Sequence, residues 1–181
     1  MGWRFSAFEL DPTVPAEGID LRAYLEGKYG PGALEGMGDR LAQAAAADGL
    51  PLLDVRDLTR RPNTFAAHRL MLAALEDGDE AQQALAEGLL AAYWARGADV
   101  GARAVLEELA GAAGLPAELI AAALDDESYA EAVRAEERRA AELGIRAVPT
   151  FVFDGRFAVS GAQPSRVLAD AVRRAASGSL G

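Results

Sequence analysis

The chain has 181 residues, no cysteine and one histidine, and its 28 acidic against 18 basic side chains leave a formal charge of −10. With 51% apolar residues it is long and apolar enough to bury a sizeable core, as one domain or as a small domain carrying an insertion. The acidic balance argues against nucleic acid and anionic membrane as partners. The missing thiols exclude disulfides, thiolate metal sites and thiol chemistry within this chain, and a lone histidine excludes a multi-histidine metal cluster.

In chain order, "WRFSAFEL" alternates with period two, Trp3, Phe5 and Ala7 against Arg4, Ser6 and Phe8. It predicts a strand stopped by Pro12 and Pro15. Its start also fits the loose Met-Gly-x-x-x-Ser acylation pattern, but it has no secretory h-region or cleavage site. A long helical stretch follows. "DLRAYLEGKYG" takes Asp20 as N-cap and ends at Gly30 before Pro31. "LEGMGDRLAQAAAADG" sets Leu34, Met37 and Leu41 on one face and stops at Gly49. "NTFAAHRLMLAALEDG" starts at Asn63 or Thr64, with Phe65, Leu72 and Leu75 as its apolar stripe. "DEAQQALAEGLLAAYWARG" repeats Leu85, Leu89 and Tyr93 at four-residue spacing. "VGARAVLEELAGAAG", "LPAELIAAALDD" and "ESYAEAVRAEERRAAELG" complete the set, the last ending at Gly144. No run approaches the roughly 18 apolar residues of a membrane-spanning helix. "PTFVFDG" and "RFAVSG" then read as a hairpin about Asp154-Gly155, and "QPSRVLADAVRRAAS" as a closing helix.

A helix ending at glycine, a Val-Pro step, an antiparallel hairpin and a final helix form the second half of a thioredoxin fold. The stretches "FELDPTVPAEGIDLRAYLEGKYG", "NTFAAHRLMLAA", "LLAAYWARGADVGARAVLEELAGAAGL" and "GIRAVPTFVFDGRFAVSGAQP" together resemble the DsbA family of thiol–disulfide oxidoreductases, most closely its cytosolic FrnE-like branch. The resemblance runs from Trp3 to about Ala176. It implies an α/β, thioredoxin-like fold with a large helical insertion: residues 1–12 and 127–181 form the thioredoxin-like part and 13–126 the insertion. Read locally, Pro149 fits a trans proline at the first residue of a strand; the resemblance implies a cis Val148–Pro149 bond instead. It makes Val148, Pro149 and Thr150 a loop that presents backbone to a peptide or a small thiol or disulfide. It also makes Asn63 and His68 candidate cleft residues, although a histidine in an Ala/Leu-rich helix more commonly just fills its position. Tyr93 and Trp94 read as helix packing, and Glu136 to Arg139 as a solvated face.

The chain departs from the family where the chemistry sits. Members begin with a strand and a Cys-x-x-Cys at a helix N-terminus, where the dipole lowers the thiol pKa. Here the sequence starts at what corresponds to the second strand, so the fold is expected to be N-terminally truncated, with the first strand and active-site helix absent. No catalytic residue, cofactor or metal is assigned. The expected function is that of a FrnE-like relative of the oxidoreductases. The alternatives are a redox-inactive peptide- or thiol-binding module, or a remnant of a glutathione-dependent isomerase or kappa-class transferase relative. The implied setting is cytoplasmic. An unpaired edge at Trp3–Phe8 leaves room for a homo-oligomer or a partner strand completing the sheet.

Overall fold

The structure, a computed structural model, describes residues 3–155 and 157–177. It divides into two compact units, residues 1–137 and 138–181; the boundary falls within one helix, Glu127–Glu142.

The first unit is helical because its sequence repeats apolar side chains at three- and four-residue spacing between effective stops. Helix α1 (Leu21–Tyr29) starts at Asp20, whose carboxylate accepts the Ala23 N–H at 2.7 Å, and ends at Gly30. It buries Leu21 and Leu25, one turn apart, in a small core with Leu34 of α2 (Ala33–Ala47), Val55 and Leu58. A two-residue antiparallel bridge, β1 (Ile19–Asp20) to β2 (Arg60–Arg61), ties the start of α1 back to the loop after α2. The larger core lies among α3 (Phe65–Asp77), α4 (Asp79–Arg96), α5 (Arg103–Ala112) and α6 (Ala117–Asp125). One residue, Gly78 with φ 135°, ends α3 and begins α4. A side chain there would strain the backbone.

Leu70, Leu85 and Leu106 are fully buried in this core beside Ala73, Ala74, Ala92, Ala110 and Ala123. The alanines decide which face of α3 goes inside. The stripe expected at Phe65, Leu72 and Leu75 is half-exposed, and Ala67, Leu70, Met71, Ala73 and Ala74 are buried in its place. Small side chains let α4 approach closely, so the buried face follows packing distance rather than the largest side chains.

The expected strand at Trp3–Phe8 does not form: residues 3–9 lie in no sheet, and no ladder bond joins them to another strand among the described residues. Gln82 on α4 and Glu136 and Glu137 on α7 (Glu127–Glu142) bond to this segment instead.

In the second unit, β3 (Thr150–Phe153) pairs antiparallel with β4 (Phe157–Ser160), with Thr150 opposite Ser160 and Phe153 opposite Phe157. The expected Asp-Gly turn is there: Asp154 and Gly155 both take positive φ, 50° and 67°, the left-handed region that Asp and Gly tolerate best. Arg156, expected to open β4, lies outside the described residues, as do Met1, Gly2 and 178–181. Phe153 packs with Ala171 and Ala175 of α8 (Ser165–Ala176), flanked by Phe151, Phe157, Val159 and Val172.

Core placement sets a testable contrast. Leu70→Ala should cost about 2–5 kcal/mol through lost apolar contact and a residual cavity. Leu90→Ala on α4, where the side chain is 56% exposed, should change stability by under about 0.5 kcal/mol. Urea titration of the two variants reads both values.

Candidate functional site

The residues expected at the site fall into both units. In the second, the Val148–Pro149 peptide bond is cis. The Thr150 hydroxyl donates to the Ala147 carbonyl at 2.7 Å, and the Pro149 carbonyl accepts the Gly161 N–H at 2.8 Å. These bonds shape a tight loop at the mouth of β3. Val148 is 49% exposed. Among the described residues, its own N–H and carbonyl meet no hydrogen-bond partner.

In the first unit, Asn63 is committed to the fold. Its amide nitrogen donates to the Val14 carbonyl at 2.7 Å, and its amide oxygen accepts the Phe65 N–H at 2.9 Å. It thereby bonds the first N–H of α3 from two residues before the helix, one before the N-cap Thr64, and pins the loop after residue 10. A side chain at Gly101 would lie 2.8 Å from the Asn63 carbonyl, so glycine is required at that approach. His68, one turn into α3, is half-buried. Burial lowers its pKa; Glu137 and the Phe8 main chain pull the other way.

The densest polar cluster in this unit, which pattern reading alone missed, surrounds residues 5–9. The Gln82 side chain is fully buried. It accepts the Phe5 N–H at 2.9 Å and donates to the Phe5 and Met71 carbonyls, each at 3.0 Å. Glu136 accepts the Ala7 N–H at 2.5 Å, and Glu137 accepts the Glu9 N–H at 3.2 Å. Arg134 binds the Glu9 carboxylate at 2.5 Å and Glu137 at 2.7 Å, with its guanidinium 4.2 Å from the centre of the Phe65 ring. Burial raises the Glu9 pKa, opposed by Arg134 and reinforced by Glu137. Alternate main-chain N–H groups are thus paired as a neighbouring strand would pair them, but by side chains on α4 and α7. Gln82 carries no local mark in sequence: its neighbour Gln83 lies on the surface, bonded to Glu87.

Helices in the first unit, and in the second a β-hairpin that follows a Val-Pro step and precedes a helix, are elements expected of a thioredoxin-fold protein with a helical insertion. The family model for DSBA-like thioredoxin domains matches residues 3–173, and the chain belongs to that family. Its structure is similar to the crystal structure of a probable DsbA oxidoreductase from Streptomyces coelicolor, with 40% sequence identity and a TM-score of 0.82 over 93% of this chain and 72% of that one. No curated protein matches it. The chain is therefore a DsbA-like relative of the thiol–disulfide oxidoreductases, with no cysteine in its sequence. No helix among the described residues is long and apolar enough to cross a membrane.

His68 gives a pH dependence of known sign. Its folded pKa lies below the ordinary 6.5, so the unfolded chain takes up the proton first as pH falls. The His68 contribution to stability is complete above about pH 6.5 and is lost as pH drops through its folded pKa. Glu9, raised above 4.5, works the opposite way: its contribution is present at low pH and is lost as pH rises through its folded pKa. Urea midpoints at pH 7.5 and 5.5 for the native chain and His68→Gln isolate the histidine. The variant should lose less stability across that interval, and an equal loss would assign the slope elsewhere.

Proposed function

We propose that the chain is the ligand-holding body of a FrnE-like DsbA relative. In this reading it binds an extended peptide, or a small thiol or disulfide, along Val148–Pro149–Thr150 without redox chemistry of its own. The observation that carries the reading is Val148, exposed and with an N–H and carbonyl that meet no hydrogen-bond partner among the described residues, beside a Pro149 carbonyl already bonded to Gly161 and a Thr150 hydroxyl already bonded to Ala147. A donor and an acceptor side by side on one exposed residue match the main chain of a peptide, or the amides of a small peptide thiol. Exchange of disulfides requires an attacking thiolate, so any turnover needs thiols that this sequence does not contain.

The same reading includes the rest of the family picture. The thioredoxin-like part is residues 1–12 with 127–181, and 13–126 is the insertion. The setting is cytoplasmic, and a strand from a second copy or another partner completes the sheet beside residues 3–8. Support for these comes from the resemblance. Asn63 carries less of the proposed binding than Val148, because both ends of its amide are already bonded.

Two measurements test the reading. The purified chain should show no turnover of a disulfide substrate above buffer. In an NMR titration with oxidised glutathione and with an unstructured cysteine-free peptide, amide shifts should centre on Val148 and Thr150. Val148→Pro, which removes the N–H, should weaken binding by about tenfold, the scale of one lost hydrogen bond in a desolvated site. Shifts that bypass residues 148–150 would refute the loop as the site.

A further inference from the structure

We propose that the α4–α7 side of the first unit is a receptor for one extended peptide strand, filled here by the chain's own residues 5–9 and open to exchange with another strand of the same pattern. Gln82 reads both polar groups of the Phe5 backbone, Glu136 reads the Ala7 N–H and Glu137 the Glu9 N–H. The contacts fall on positions one, three and five of an extended segment, the spacing at which one edge of a strand meets its neighbour.

The geometry sets the chemistry of an occupant. Positions one, three and five must each offer an N–H, which excludes proline there. Position three must be small, because Ala7 is only 3% exposed. Position five takes a carboxylate, because Arg134 binds that of Glu9 at 2.5 Å. Positions two and four are less constrained; Ser6 is exposed and Phe8 half-buried. The class is therefore an extended peptide of the form x–x–small–x–acid, recognised mainly through its main chain.

Exchange follows from how the segment is held. Side-chain bonds fix residues 5–9, with no ladder among the described residues, and residues 3–6 are exposed, so the segment can open locally without unfolding the helices. Opening leaves the buried Gln82 amide oxygen and the Glu136 carboxylate without the N–H donors they use here, and leaves Gln82 and Glu137 with only Met71 and Arg134, and such groups demand new partners. A competing peptide works against a tethered segment whose effective concentration is on the order of millimolar. Weakening the tethered segment must therefore strengthen binding in trans.

The test uses a fluorescein-labelled peptide of residues 3–10, Trp-Arg-Phe-Ser-Ala-Phe-Glu-Leu, titrated into the full chain and read by anisotropy. Ala7→Pro, which removes the N–H that Glu136 accepts, should bind the peptide about tenfold more tightly than the native chain, the scale of one lost buried hydrogen bond in the competitor. Phe5→Pro should do the same through Gln82 and serves if Ala7→Pro fails to fold. Ser6→Pro, whose N–H meets none of these side chains, should bind like the native chain. Adding Gln82→Leu to either gain variant should abolish the gain, and a peptide with proline in place of its alanine should not bind. Equal affinities for the native chain and a folded proline variant, or a gain that survives Gln82→Leu, would overturn the proposal. A Val148→Pro chain should leave this binding unchanged, which separates the receptor from the loop of the second unit.

Discussion

Ala7 and Glu9 are buried in a segment with no strand beside it among the described residues, and backbone groups that leave water must be paired. The buried Gln82 amide meets that requirement at Phe5, and two carboxylates meet it at Ala7 and Glu9. The energetic asymmetry is large. A hydrogen bond adds about 1 kcal/mol net, but a buried donor or acceptor left without its partner costs about 1–3 kcal/mol. Gln82 serves three main-chain groups, counting the Met71 carbonyl. It also ties the N-terminal segment to α3 and α4, and so to the alanine-lined core. The small side chains of α3 and α4 make this possible, because close helices leave Gln82 no room to face solvent.

The same cluster shows how an acidic chain uses its charge. Three carboxylates, Glu9, Glu136 and Glu137, gather about residues 5–9, with Arg134 binding two of them. A carboxylate is a strong acceptor for main-chain N–H groups, which rewards the surplus. The cost appears at Glu9, whose pKa is raised chiefly by burial even with a guanidinium in contact. Arg134 contributes more than charge: it lies over Phe65, so its position is fixed by the start of α3 as well as by the acids.

Much of this was legible in sequence, and the exceptions share a cause. Helices α1 to α8 follow from periodicity and stops: Asp20 caps as expected, and Gly30 and Gly144 lie where helices end. Asp154-Gly155 marks a turn because few other pairs accept two positive φ values. The alternation at Trp3–Phe8 was misleading because period two reports an extended segment with two different faces; it does not say whether a strand or a set of side chains pairs its backbone. The buried face of α3 was missed because alanine counts weakly in any hydrophobic pattern. Asn63 and His68 were visible as unusual residues, but the Asn63 partner, Val14, is 49 positions away, and no local pattern encodes such a bond. Gln82 beside Gln83 poses the same problem, since identical neighbours occupy a core and a surface.

A chain of this family without thiols keeps its fold because cysteines do not hold this fold together. The stability of the first unit rests on its buried leucines and alanines, that of the second on the Phe153–Ala171–Ala175 cluster, and nothing in either depends on a cross-link. The sequence holds no attacking sulfur; what it does hold is main-chain polar groups set among constrained side chains. As proposed above, both the Val148 loop and the cluster around residues 5–9 would recognise a partner through main-chain N–H and carbonyl groups. Such contacts give affinity with little sequence discrimination. Selectivity must then come from the few side-chain constraints around them, the small pocket at Ala7 and the guanidinium at Glu9 in the one case, and the tight turn made by the Thr150 hydroxyl in the other.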